Sequence, residues 1–236
     1  MMSTFAKVAT DRLVEGRASR VSSTDILVYG LTFVPGIVLL AAVALQTRVP
    51  IFVLMKDSLV VVQLTKECCH VYYGLISNLG VMLWTAGAAV CLFAALILVT
   101  NGQRDSRVVF LVAAGLFTGW LGLDDFFMVH EDVLPLFGVS QRVTYAAYAT
   151  IAALYFLFSW RHILMSRPML MMSALTLLGT SVLIDVLVHS ESALHVFAED
   201  GAKFLGILAW TSFHVTAALD LTGKFLGSAL GRFRVT

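Results

Sequence analysis

Residues 108–129 read VVFLVAAGLFTGWLGLDDFFMV, an apolar run whose only charged members are Asp124 and Asp125, close to one end. An α-helix rises 1.5 Å per residue, so about 20 such residues cross the hydrocarbon of a bilayer. In water this run would have to bury every face, whereas in lipid it is already in its preferred solvent. It therefore reads as a membrane span. Two aspartates inside its apolar boundary are costly there, and intramembrane acids mark functional sites by default.

Five further runs have the same character: Ile26–Leu45, Ser77–Val99, Val143–Trp160, Met169–His189 and Ala202–Leu221. Charged residues are 13% of the 236 residues and hydrophobic residues 59%, about half the charge of a soluble domain. The predicted fold is all-α: a polytopic membrane bundle of six transmembrane helices. Residues 1–24 are expected as a cytoplasmic interfacial segment, 25–223 as a single bundle and 224–236 as a basic tail. In the first segment Phe5, Val8 and Leu13 alternate with Lys7, Arg12, Arg17 and Arg20, which suits either a helix on an anionic membrane surface or a disordered basic tail. Ile26–Leu40 followed by Ala42-Val43-Ala44 has the outline of a secretory signal. The long polar segment before it favours a retained first helix. Between the first two spans, Ile51–Met55 and Leu59–Leu64 are too apolar for a solvated loop, so a seventh short or re-entrant element is expected there.

Basic residues orient the bundle. Placing the N-terminus in the cytoplasm puts Lys7, Arg12, Arg17, Arg20, Arg104, Arg107, Arg161, Arg167, Lys224, Arg232 and Arg234 inside, against Arg48, Lys56, Lys66, Arg142 and Lys203 outside. This positive-inside bias predicts that both termini are cytoplasmic. A formal net charge of +1 gives no reason to expect nucleic acid as a partner; membrane lipids, a second copy or a larger membrane complex are the expected ones. Cys68, Cys69 and Cys91 form neither a CxxC pattern nor a disulfide framework and are expected as ordinary thiols.

In this orientation Asp124, Asp125, Glu131, Asp132, Glu191, Glu199 and Asp200, with His70, His130, His189 and His195, gather at the outer face. Helical periodicity puts Asp124 and Glu131 on one face, flanked by Asp125 and His130. Asp185 and His189 are four apart and stack. Glu199, Lys203, Gly206, Trp210 and His214 step by four, three, four and four, forming one stripe on which Gly206 leaves space and His214 lies deepest. A helix N-terminus near Glu199 and Asp200 would favour their negative charge, and a Glu199–Lys203 ion pair is the simplest local alternative. Gly115, Gly119 and Gly122 read as a close helix contact.

If these spans close on one another, one pocket collects oxygen and nitrogen ligands suited to zinc, iron or manganese. Asp125, His130, Asp185 and His189 are the candidate metal ligands. Asp124, Glu131 and Glu199 are the candidate catalytic bases, acting through a metal-activated water on a lipid-like ester or amide. Lys203 and His214 are the candidate cofactor-binding residues. Two other function classes stay open. One is a proton- or cation-coupled transporter with a path from the outer acids past His214 to Asp220. The other is a non-catalytic subunit holding haem or a pigment through His130, His189 or His214.

Tyr73-Gly-Leu-Ile-Ser-Asn-Leu-Gly80-Val-Met-Leu-Trp84, Asp125-x4-His130-Glu131 and Glu199-Asp-Gly-x-Lys203-x-x-Gly206-x-x-x-Trp210 together resemble a group of uncharacterised bacterial multi-pass proteins. Ser77, Asp124 or Asp125, and His130 are more loosely similar to the residues that gather around zinc in the alkaline ceramidase and adiponectin-receptor superfamily. That resemblance implies seven helices and a closing HxxxH. Here the nearest substitute is Asp185-x-x-x-His189 and the spans number six. Lys203 is similar in type to the retinal-bearing lysine of microbial rhodopsins, although it lies at a helix mouth.

Overall fold

Hydropathy dictates the long elements, and the computed structural model, which describes residues 23–68, 70–187 and 192–233, shows how they meet. In chain order they are α1 (Ser23–Leu45), α2 (Ile51–Met55), α3 (Ser58–Thr65), α4 (Leu75–Thr100) and α5 (Ser106–Phe127). A π-helical turn follows (Val129–Val133), then α6 (Leu134–Leu136), α7 (Gln141–Met165), α8 (Pro168–Leu187) and α9 (Ala193–Phe233). Six of these, α1, α4, α5, α7, α8 and α9, are long and apolar enough to cross a membrane. There is no strand among the described residues. The chain is a multi-pass membrane helical bundle. The segment before Ser23, together with Cys69, His189 and Glu191, lies outside the described residues.

Helix α9 is the axis of the bundle: it packs against α1, α2, α4 and α8 and touches α5. Its buried face runs through Phe204, Ile207, Trp210, Phe213 and Ala217. The pairs α4–α5 and α8–α9 are the most extensive, and α7 makes only sparse contacts with α5 and α8. Small residues set these distances. A Cβ on Gly122 would fall 2.8 Å from Trp84 Cβ, so α5 lies against α4 as the glycine run predicted. The outward surfaces are large and apolar, with Leu31 on α1 and Phe158 on α7 among the exposed side chains. In lipid that exposure carries no penalty.

The expected extra element is present as two short helices. Met55 and Val61 are fully buried, so α2 and α3 fold onto one end of the bundle. The Gly74 N–H donates to Val53 O at 2.9 Å, and Ser58 Oγ donates to Tyr73 O at 2.8 Å. This closes the loop over the start of α4.

Three expectations need correction. Helix α9 begins at Ala193, with Ser192 Oγ accepting from the His195 N–H at 3.3 Å. Glu199 and Asp200 therefore sit more than a turn inside the helix, where its N-terminal dipole no longer supports them. At its other end α9 continues to Phe233. Gly206 does not open space: a Cβ there would lie 3.0 Å from the backbone nitrogen of Leu178, so α8 occupies that position. Lastly, Cys68 is disulfide-bonded, whereas Cys91 is a buried free thiol.

Candidate functional site

Between α5, α7, α8 and α9, where α7 stands away from its neighbours, is a cavity of about 590 Å³. Its body is apolar and aromatic: Trp84, Phe117, Leu121, Phe156, Leu175, Leu178 and Trp210. Its polar end carries Asp124, Asp125, His130, Glu131, Asp185, Glu199 and Lys203. Concave, mostly apolar spaces of this size with a few convergent polar groups are the usual form of a small-molecule site.

Asp124 is 5% exposed and fully provided with donors. Tyr148 Oη donates to its Oδ1 at 2.7 Å, the His130 backbone N–H donates to the same oxygen at 3.0 Å, and His130 Nδ1 meets Oδ2 at 2.7 Å. Helical spacing alone would not produce this contact. Helix α5 stops at Phe127, Met128 takes a left-handed conformation with φ 48°, and the π-helical turn folds His130 back over the helix end. Its Nε2 faces Glu131 Oε1 at 3.3 Å, so the imidazole bridges two carboxylates. Burial by itself would lower the His130 pKa. The hydrogen bonds to Asp124 and Glu131 outweigh it and raise the value to about 9. The same contact holds Glu131 below the usual carboxylate range, against its burial. At neutral pH His130 is a cation held between two carboxyl groups, a string able to pass a proton between Asp124 and the cavity.

On α8, Asp185 Oδ2 accepts from Tyr145 Oη at 2.7 Å, and Gln141 Nε2 donates to that same hydroxyl at 3.1 Å. On α9, His195 Nε2 lies 3.4 Å from Glu199 Oε2. Lys203 does not pair with Glu199; it reaches across to α5 and closes an ion pair with Asp125 Oδ1. Asp125 is only 6% exposed, and its other oxygen, Oδ2, has no hydrogen-bond partner.

Of the stripe on α9, Glu199, Lys203 and Trp210 line the cavity. His214 is fully buried beneath Trp210. Its Nε2 is 2.8 Å from Tyr155 Oη and its Nδ1 2.9 Å from Trp210 O, and Phe110 and Phe213 pack against the ring. Both nitrogens are committed, and His214 is not on the cavity wall. Asp220 lies farther along, paired with Arg167 at 3.2 Å. Of the four candidate metal ligands, Asp125 takes Lys203, Asp185 takes Tyr145, and His130 turns both nitrogens to carboxylates. His189 is outside the described residues. Among the described residues no group of three His, Cys, Asp or Glu side chains is arranged to hold a metal ion.

Residue patterns did not single out Tyr145, Tyr148 or Asp57. Tyr145 and Tyr148 lie about one and two turns in from the start of α7, on the face that meets the acids. Asp57 sits between α2 and α3 and accepts a hydrogen bond from Ser77 Oγ. Burial raises its pKa, with Lys203 and Ser77 acting the other way. The apolar character of both flanking segments was the available signal that Asp57 would be carried into the protein.

No curated protein and no solved structure matches this chain. Residues 31–217 match a family described as a domain of unknown function, DUF8692. The ceramidase-type and rhodopsin-type similarities thus stay at the level of residue types. The matched region takes in every residue that lines the cavity, and the chain belongs to the DUF8692 family.

Proposed function

We propose that this bundle binds a lipophilic cation: an ammonium-type head held at the polar end of the cavity, with an apolar body among its aromatic side chains. The observation that carries the reading is the charge balance of the cavity wall. Five carboxylates, Asp124, Asp125, Glu131, Asp185 and Glu199, face two cations, His130 and Lys203. That surplus of negative charge at the edge of a low-dielectric region attracts a cationic head. Tyr145, Tyr148 and Trp84 add aromatic surface of the kind that receives cations. The sparse contacts of α7 leave a seam through which a molecule dissolved in the bilayer can enter.

Metal-dependent hydrolysis of a lipid would require Asp125, His130 and Asp185 to abandon Lys203, Asp124 and Tyr145 for an ion. Binding of an organic cation uses these pairings as they stand, and this favours it. Glu131, beside His130 and on the cavity wall, is the residue to examine for acid–base chemistry on the bound molecule.

Trp84 and Trp210 line the cavity, so their fluorescence reports its occupation. Protein in nanodiscs is expected to bind tetraphenylphosphonium saturably, with dodecyl sulfate failing to compete. Glu131→Gln with Asp185→Asn should weaken binding about tenfold or more, on the order of 1.4 kcal/mol. A Cβ on Gly179, a lining residue of α8, would meet nothing within 4 Å, so Gly179→Trp fills the cavity without disturbing packing and should abolish binding. Equal affinity for the cation and the alkyl sulfate would sink the reading.

A further inference from the structure

Beside the main cavity lies a second, smaller chamber of about 20 Å³, walled by Asp57, Ser77, Gly80, Asp125, Asp200 and Lys203. It has room for about one water. Its charges do not balance: three carboxylates share one ammonium. Lys203 answers Asp125 Oδ1, and the Ser77 hydroxyl answers Asp57. Two buried oxygens are left over, Asp125 Oδ2 and Asp200 Oδ2, and neither has a hydrogen-bond partner. Asp125 is 94% buried by its 6% exposure, and its Oδ2 points towards Gly80, on the chamber wall. An ionised carboxylate oxygen left bare at such depth is expensive.

One proton eases this imbalance. As an O–H on Asp200 it turns that oxygen from an unmet acceptor into a donor, and Asp125 Oδ2 is the open acceptor on the same chamber. The charged groups around Asp200 are Lys56 and Asp57 from the α2–α3 junction, Asp125 from α5, and Glu199 and Lys203 from α9 itself. Three acids against two bases leave negative charge for a proton to cancel. A metal ion fits less well, because it would have to displace the Lys203 ammonium from Asp125 and the Ser77 hydroxyl from Asp57.

Asp125 and Lys203 line both spaces. We propose that the chamber is a proton site centred on Asp200, and that a cation entering the main cavity expels this proton through the shared Asp125–Lys203 pair. This rests on the lipophilic-cation reading above. One positive charge enters and one leaves: the Asp200 carboxyl releases a proton to solvent as the organic cation takes its place in the field of the same carboxylates. Linkage is reciprocal, so acidification weakens cation binding to the extent that binding releases protons.

Two measurements separate the proton site from the cavity. Infrared spectra of ligand-free protein in nanodiscs are expected to show the C=O stretch of a buried protonated carboxyl that fades as pH rises. It should be absent in Asp200→Asn and unchanged in Asp220→Asn. Asparagine mimics the protonated acid, so Asp200→Asn should also keep the wild-type melting temperature at neutral pH. A wild type without this band, or a band that survives Asp200→Asn, overturns the proposal. Titration calorimetry with tetraphenylphosphonium, in buffers of different ionisation enthalpy, should show up to one proton released per cation bound. Affinity should fall by up to about tenfold per pH unit on acidification, and Asp200→Asn should bind with neither effect. Wild-type binding without proton release overturns the coupling and leaves the cavity reading standing. Absence of binding overturns the cavity reading and the coupling with it, while the infrared band decides the proton site alone.

Discussion

Asp124 shows how a single side chain is afforded a place inside a membrane bundle. Three donors converge on its two oxygens, from Tyr148 Oη, the His130 backbone and His130 Nδ1. Charge-assisted bonds to a buried carboxylate are among the stronger ones a protein makes, and losing one leaves the group unmet. His130 depends on the arrangement as much as Asp124 does. Its folded pKa, about 9, lies above the unperturbed 6.5, so its contribution to stability is whole below pH 6.5 and is lost as pH climbs through about 9. Thermal melts of the protein in nanodiscs should therefore show a falling midpoint between pH 6.5 and 9. In His130→Gln, which keeps a donor and removes this titration, that segment should be shallower and the midpoint at neutral pH lower. A variant curve parallel to wild type would mean that His130 is not held as a cation between Asp124 and Glu131.

At the scale of elements, what the sequence made legible was set by solvent preference. Each span announces itself by apolar composition, so all six were readable, and so was the apolar α2–α3 pair in the first connection. The gathering of Asp124, Asp125, His130, Glu131, Asp185, Glu199 and Lys203 around one cavity followed from antiparallel helices ending on the same side. The pairings within it were not legible. Periodicity assumes that α5 continues through Glu131, whereas Met128 turns left-handed and the π-helical turn brings His130 onto Asp124. Tyr145 and Tyr148 belong to a helix whose facing could not be read from its composition. Glycines were half legible: Gly122 marks a contact as expected, and Gly206, read as space, is a contact too. The two glycines at the α8–α9 region make a direct comparison. A Cβ at Gly206 would meet Leu178 Cγ at 2.8 Å and its backbone nitrogen at 3.0 Å, while one at Gly179 meets nothing within 4 Å. Gly206→Ala should lower stability by about 1–3 kcal/mol. Gly179→Ala should stay within about 0.5 kcal/mol of wild type. Denaturant unfolding of both variants in the same detergent checks this, and an equal effect at the two positions would contradict the α8–α9 packing.

For the whole molecule, six crossings return the chain to the side on which α1 begins. The end opposite the cavity is closed by Arg167, which holds Asp25 at the start of α1 at 3.1 Å and Asp220 of α9 at 3.2 Å. Arg104, Arg107 and Arg161 lie at the same end, in or beside the connections α4–α5 and α7–α8, so this arginine cluster and the acidic cavity occupy opposite ends of one bundle. Positive charge resists translocation, so the basic end should remain cytoplasmic and the mouth of the cavity should face outwards. A cysteine at Phe137, which is exposed beside the cavity end, should react with a membrane-impermeant maleimide in intact cells. A cysteine at Gln103, in the α4–α5 connection, should react only after permeabilisation. Cys91 is buried, so the chain with Cys68→Ser and Cys69→Ser serves as the parent for labelling. The opposite labelling pattern would turn the bundle over. A lipophilic cation would then enter the cavity from the cytoplasmic leaflet, and the proton expelled from Asp200 would be released on that side.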